Sequence, residues 1–237
     1  MRDLQHINYN MKLFDTLLSL IAPHDCLGCQ SEGTLVCDDC ARGLPAALPR
    51  CYKCHVERVN FSTCSVCRQS SALSTVWPAV RYETIAKDLV WKLKFGRARD
   101  AAMVTSRIIV RRLQLRRQLR LAGPVIITHA PTAASRTRQR GYDQAQLIAR
   151  AMAASTGTPY RPLLARLGTT KQVGATKAQR ATQVAQAFRA INAAQIRGAH
   201  ILIVDDVITT GATLEAAART LRAAGARRVD AVTFAQA

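Results

Sequence analysis

Apolar residues first recur at Leu13, Phe14, Leu17, Leu18 and Ile21, the spacing of one helix face. The stretch MKLFDTLLSLIAP (11–23) has the outline of a secretion signal. Asp15 interrupts its apolar part and no small-residue cleavage site follows, so it reads as an amphipathic helix packing on the rest of the protein. AVRYE (79–83) reads as a short strand. Thr84–Phe95 and 98–121 have helical periodicity, with Gly96 as the break between them. PVIITHAP (124–131) reads as a buried strand running into TAASRTRQRGYD, a loop of arginines and small residues. A helix follows over 142–155, ending near Gly157. RLGTTKQVGATKAQR (166–180) has no apolar period and reads as a mobile loop. Then come a strand at 200–204, a turn, a helix at 212–224 ended by Gly225, and a strand at 228–234. Strand, helix, strand at this spacing predicts an α/β fold with a parallel sheet and helices packed on it.

The chain has 237 residues, enough for one or two domains and one sizeable core. QSSALSTVWP (69–78) is rich in Ser and Thr and ends at a proline, which places a domain boundary there: 1–75 and 76–237. No apolar run reaches the roughly 18–20 residues of a membrane span. The net charge of +19 is uneven: residues 1–75 carry seven Lys+Arg and seven Asp+Glu, so all of the excess lies in 76–237. Such a surface favours polyanionic partners, namely nucleic acid, phosphates or anionic membrane, or else reflects a generally arginine-rich composition. Residues 81–120 alone hold 12 basic and 3 acidic residues. Arg111, Arg112, Arg116, Arg117 and Arg120 lie at spacings that fill adjacent helix faces, either a solvated face or a surface that tracks a DNA or RNA backbone. Trp91, Tyr82 and Phe95 are the few aromatics close enough in sequence to stack bases.

All eight cysteines fall in four pairs, each with two residues between thiols: Cys26/Cys29, Cys37/Cys40, Cys51/Cys54 and Cys64/Cys67. A tight turn aims both sulfurs of a pair at one point, and two turns make the tetrahedral set that Zn²⁺ accepts. Sequential pairing is the simplest arrangement, with one ion on Cys26, Cys29, Cys37 and Cys40 and another on Cys51, Cys54, Cys64 and Cys67; a crossed arrangement remains open. A disulfide framework would need an oxidising compartment that no secretion signal supports. Cys51-Tyr-Lys-Cys54-His55 also matches a c-type haem attachment site, but that use would break the paired pattern. His24 and His55 read as bystanders to eight thiolates. Roughly 40 residues of metal-stapled loop bury little core, so zinc would supply much of their folding energy and play a structural role.

ILIVDDVITTGATLEAA (201–217) carries the candidate chemistry. In open parallel sheets ligands bind at the carboxyl ends of strands, which puts Asp205 and Asp206 at the edge of a site. Thr209, Thr210, Gly211, Ala212 and Thr213 then turn into a helix whose first N–H groups lack partners and carry the positive end of the dipole. Small side chains let a phosphate approach those amides, and the adjacent carboxylates suit sugar hydroxyls. The simpler alternative is that the aspartates solubilise a strand end and cap a helix. The GxxxxGK[ST] and GxGxxG phosphate motifs are both absent.

VDDVITTGAT (204–213) resembles the phosphoribosyl-pyrophosphate (PRPP) signature of type I phosphoribosyltransferases. Together with the paired cysteines, WKLKFGR (91–97), RTRQRGYDQAQLIAR (136–150), TTKQVGATKAQR (169–180) and AF (187–188), it resembles the ComF/ComFC/GntX family over almost the whole chain. The resemblance implies a Rossmann-like phosphoribosyltransferase fold preceded by a small zinc-ribbon domain, and a role in natural competence, handling single-stranded DNA at the cytoplasmic face of the uptake machinery. It implies that Asp205 and Asp206 hold the ribose hydroxyls, that Thr209 to Thr213 hold the 5′-phosphate, and that Pro131 and Thr132 lie in the pyrophosphate loop. Lys94, Arg138 and Arg140 are then candidates for pyrophosphate or the DNA backbone, with magnesium accompanying PRPP. The chain departs from the family pattern at Gln183, where Asn is common, and in the turn HAPTAAS (129–135).

Two functions of different class follow. One is an accessory protein that binds single-stranded DNA beside an uptake helicase or pore protein, with the PRPP pocket as sensor or relic. The other is an active transferase that moves phosphoribosyl from PRPP to an acceptor. The motifs supply the PRPP half of such an enzyme and nothing selects a nucleobase, so binding is favoured over catalysis. Either way the expected location is cytoplasmic, including the inner face of the membrane.

Overall fold

The computed structural model describes residues 24–96, 98–115, 119, 123–167 and 187–237. The helix expected over 11–23, the stretch 169–180 with Gln183, and Arg116, Arg117 and Arg120 lie outside the described residues. The chain divides into two compact units, Met1–Leu44 and Pro45–Ala237.

In the first unit, the Cys26–Cys29 turn is closed by Gln30 N–H donating to the Cys26 carbonyl at 2.9 Å. Asp25 and Glu32 form an antiparallel bridge around it. Helix α1 (Asp38–Gly43) starts at Cys37, whose sulfur accepts from Cys40 N–H and so serves as the N-cap. Asp38 and Asp39 in its first turn complement the helix dipole.

The second unit contains the other cysteine group, with the short helix α2 (Ser65–Arg68) capped by Cys64 in the same way. Strand β1 (Val76–Arg81) is followed by helices α3 (Thr84–Phe95) and α4 (Ala98–Arg112). Strand β2 (Val125–His129), α5 (Ala134–Arg140) and α6 (Gln144–Thr156) come next. An antiparallel pair of β3 (Leu164–Arg166) and β4 (Phe188–Ala190), the short α7 (Ala193–Ile196), β5 (His200–Ile208), α8 (Ala212–Ala223) and β6 (Arg228–Gln236) follow among the described residues. The main sheet is parallel throughout, in the order β1-β6-β5-β2.

Alternation along β5 sends successive side chains to opposite faces. Ile201 and Ile203 join Val229 and Ala231 in a core with Leu214, Ala217 and Leu221 of α8. Leu202 and Val204 point the other way, toward the side where α6 packs on β2 and β5 and α4 packs on β1 and β6. Tyr52 and Leu73 belong to the α8-side core. For that reason the division by packing falls after Leu44, earlier than the change of composition at 75/76.

Helix α3 matches its expected span because Ala86, Leu89, Val90 and Leu93 bury one stripe. Four elements differ from expectation. Strand β1 begins at Val76 rather than 79; Pro78 is tolerated because β1 is an edge strand. The helix expected over 98–121 is interrupted after Arg112, where Gln114 takes φ 45°, and helical residues recur at Leu115 and Leu119. The arginine-rich stretch after β2 is not all loop: α5 forms there, ended by Gly141 in the left-handed region (φ 78°). Strand β5 continues past Val204 to Ile208, because β6 also runs on and offers it a ladder: Asp205 lies opposite Thr233 and Ile208 opposite Gln236. The paired aspartates are therefore within the strand rather than after it.

Candidate functional site

The carboxyl ends of β2 and β5 lie side by side, with Ala130 N–H donating to the Val204 carbonyl at 3.0 Å. Pro131 and Thr132 lie just beyond β2, while Asp205 and Asp206 carry β5 on toward the turn from Thr209 to Thr213. The aspartates are successive residues of β5, and their carboxyls lie close enough to interact. Asp206 is buried and points toward the helices: Lys94 Nζ of α3 lies 3.5 Å from its Oδ2, and Gln144 Nε2 of α6 donates to the same oxygen at 3.5 Å. Its Oδ1 accepts from Val207 N–H at 2.8 Å, while Asp205 Oδ1 accepts from Asp206 N–H at 2.9 Å. Burial, and then the neighbouring Asp206 charge, push the Asp205 carboxyl well above the usual carboxylate range. Two carboxylates this close suit a ligand that brings hydroxyls or a cation.

The following turn is open to solvent at Thr209, Thr210 and Ala212, while Gly211 is buried. Gly211 is the N-cap of α8 at φ 74°, and no side chain caps the helix there. The Thr210 hydroxyl accepts only a long bond from Ala212 N–H, 3.4 Å. An uncapped helix start with small neighbours can receive an anion on its free amides.

On the β2 side, Thr132 N–H donates to Asp143 Oδ2 at 2.6 Å and its hydroxyl donates to Gln144 Oε1 at 3.3 Å. Asp143 also caps α6, accepting from Gln146 N–H through Oδ1 at 3.2 Å. His129 lies behind it, its Nδ1 2.9 Å from the Tyr160 hydroxyl, and burial holds its pKa below the usual histidine value. Arg140 donates to Gln144 Oε1 at 3.0 Å and places its guanidinium 5.3 Å from the centre of the Phe95 ring. Lys94 and Arg140 are thus brought to the site. Arg138 is exposed on α5, and Arg111 and Arg112 sit in the last turn of α4.

Three neighbours escaped the sequence reading. Gln144 bridges Thr132, Arg140 and Asp206. Asp143 shows only the weak signal of a helix cap. Arg166 donates to the Pro131 carbonyl at 3.2 Å; burial, then Arg136, lower its pKa, and Asp205 opposes them. No spacing rule links residue 166 to 205.

The cysteines form two groups, Cys26/Cys29/Cys37/Cys40 and Cys51/Cys54/Cys64/Cys67, with all sulfurs of each within 4.8 Å of one another. Pairing is therefore sequential and not crossed. The sulfurs of Cys29 and Cys37 are 3.7 Å apart and those of Cys54 and Cys64 3.6 Å, all as free thiols. A tetrahedron with zinc–sulfur bonds of about 2.3 Å has an edge of about 3.8 Å, so both groups fit the ion. The Cys67 backbone N–H draws the Cys64 thiol down to about 6, whereas burial and the neighbouring thiols push Cys67 up to about 12. Four adjacent thiols cannot all ionise without a cation between them, and zinc would release the remaining protons. We expect two zinc equivalents in the purified protein by elemental analysis, and a loss of one in Cys64→Ala. A wild-type content below two contradicts this.

Residues 145–237 match the family model described as phosphoribosyl transferase domain. The DNA utilization protein YhgH of Salmonella typhimurium is 29% identical over 205 residues, covering 82% of this chain and 87% of that protein. YhgH of Escherichia coli K12 is 26% identical over the same length and with the same coverage. Among solved structures, that of the allosteric regulatory enzyme of purine biosynthesis aligns with a TM-score of 0.38 and 19% identity over 76% of this chain and 32% of that one, a likeness too slight to carry any inference. The resemblance to the ComF/ComFC/GntX family is borne out by the transferase domain, the similarity to DNA utilization proteins and the two four-cysteine groups. Among the described residues no helix is long and apolar enough to cross a membrane.

Proposed function

We propose that this chain, a homologue of DNA utilization proteins in which two four-cysteine groups precede a phosphoribosyl transferase domain, binds PRPP with magnesium and handles single-stranded DNA. Its place of action is the cytoplasm, at the inner face of the membrane, beside an uptake helicase or pore protein. The observation that carries the PRPP half is the sequence of groups along β5 and α8: two carboxylates, then an uncapped helix start that opens at Gly211. Asp205 and Asp206 take the ribose hydroxyls, the amides and hydroxyls from Thr209 to Thr213 take the 5′-phosphate, and Pro131 and Thr132 border the pyrophosphate. Lys94 and Arg140 supply positive charge toward the pyrophosphate and its magnesium ion.

The DNA half is supported by helix α3. Trp91 and Phe95 are exposed by 56% and 61%, their ring centres 5.8 Å apart. Lys92 approaches the Trp91 ring and Arg140 the Phe95 ring. Exposed rings among cations suit bases on an anionic backbone. Replacing both rings (Trp91→Ala with Phe95→Ala) is expected to weaken binding of a single-stranded oligonucleotide about tenfold or more by fluorescence anisotropy. Unchanged affinity contradicts this surface.

Phosphoribosyl transfer to an acceptor is favoured by one observation. The exposed Phe95 ring is linked to Asp206 through two side chains, Arg140 and Gln144, so an aromatic surface is connected to the carboxylates by a polar relay. Release of pyrophosphate from PRPP on adding nucleobases or nucleic acid tests it.

A further inference from the structure

Tyr52 follows Cys51 inside the first tight turn of the second cysteine group and is only 4% exposed. Its ring lies against the backbone where the phosphate turn enters α8: a Cβ on Gly211 would come within 2.6 Å of its Cδ2 and 2.9 Å of its Cε2. Its hydroxyl donates to Glu215 Oε2 at 2.7 Å and lies 2.6 Å from Ser71 Oγ. Glu215 is one helical turn beyond Gly211, and its own N–H donates to the Gly211 carbonyl at 2.8 Å. One side chain thus holds both ends of the first turn of α8. The segment after Cys67 closes the grip. Ala72 N–H donates to the Glu215 carboxylate at 3.1 Å, Arg219 pairs with it at 2.8 Å, and Arg219 also donates to the Ser70 carbonyl. Lys53 donates to Ser70 Oγ at 2.6 Å, tying the two cysteine turns together.

Both segments of this grip are loops that flank metal ligands. Cys51 sets the start of the Tyr52 turn, and Cys64 and Cys67 set the start of the 70–72 segment. A single ion would fix all of them at once. A loop freed from its metal regains its conformational entropy, and Tyr52 would lose its fixed position on Gly211.

We infer that Tyr52 is a positioning residue for the phosphate turn, and that metal binding at Cys51, Cys54, Cys64 and Cys67 sets the geometry of that turn. The inference rests on the phosphate reading of the turn given above and adds a control to it. Zinc retention and PRPP binding are linked, and the linkage is reciprocal: each ligand tightens the other.

The test compares wild type, zinc-depleted wild type, Tyr52→Phe and Tyr52→Ala. Amide hydrogen exchange is read over residues 211–218 and over strand 201–204. Tyr52→Ala keeps all eight thiols, so it should retain two zinc ions and yet exchange about tenfold faster at the start of α8. Tyr52→Phe keeps the ring contact and should show a smaller change. Protection of strand 201–204 should stay as in wild type, which excludes general unfolding. In parallel, PRPP with magnesium should bind about tenfold more weakly to Tyr52→Ala, and should slow zinc loss from wild type to a chelator. Unchanged exchange at the start of α8 in both Tyr52→Ala and zinc-depleted protein would overturn the inference, as would a change shared equally by the strand. If wild type binds no PRPP, the phosphate reading fails, and the exchange data alone decide whether Tyr52 positions the turn.

Discussion

Replacing Gly211 by alanine will cost this protein both stability and ligand binding, and will cost more stability than the same exchange at Gly157. Gly211 has φ 74°, where an alanine costs about 1–2 kcal/mol. Its Cβ would also come within 2.6 Å of the Tyr52 ring. That ring cannot swing aside cheaply, because it is buried and its hydroxyl is bound to Glu215. Overpacking of this kind adds about 1–3 kcal/mol. The sum, about 2–5 kcal/mol, corresponds to a fall in Tm of roughly 4–20 °C for a chain of this size. Gly157 is the matched control. It has φ 72°, but an added Cβ meets nothing within 4 Å. Gly157→Ala should therefore show only the conformational part. Thermal unfolding followed by circular dichroism separates the two, and equal losses would contradict the Tyr52 contact.

The second large effect concerns the paired carboxylates. Hydrogen bonds to charged groups contribute about 1.5–3 kcal/mol each, so Asp205→Ala with Asp206→Ala should weaken PRPP binding by about a hundredfold or more. Asp205 carries a further signature. Its pKa is raised by burial and by Asp206, so the folded protein without ligand resists its ionisation. For an acid with a raised folded pKa, stability falls as pH rises from the unfolded value through the folded one. Asp205→Asn removes that loss. The variant should melt higher than wild type near neutral pH, with the advantage shrinking as pH falls, while it loses PRPP affinity. PRPP with its magnesium favours the ionised carboxylate, so wild-type affinity should rise with pH across the same window. A variant that melts lower than wild type at neutral pH would contradict the strained pair.

Much of the fold is legible because local and global signals agree. The apolar stripe of Ala86, Leu89, Val90 and Leu93, stopped by Gly96, admits only the helix that forms. The four cysteine pairs announce two sets of four thiols, though only the fold decides that they pair sequentially. Where the reading fails, a partner distant in sequence decides. Asp205 and Asp206 look like loop residues, yet Thr233 and its neighbours on β6 hold them in a ladder. Helix α5 buries no residue and so leaves no periodic trace; only Gly141 marks its end. The candidate site divides the same way. Its acidic pair and turn are contiguous and stand out in the sequence. Gln144, Arg166 and Tyr52 reach it from other elements, and the Tyr52–Glu215 bond spans 163 residues. No pattern along the chain encodes such a contact.

The PRPP site proposed for this protein lies at the end of β5 and the start of α8. The most direct measurement is a calorimetric titration of PRPP with magnesium into zinc-loaded protein, run beside the Asp205→Ala, Asp206→Ala double variant. Saturable binding by wild type, lost in a variant that retains zinc and melts cooperatively, is the predicted result. A folded, zinc-loaded wild type that takes up no PRPP, or a double variant that binds it equally well, contradicts the account.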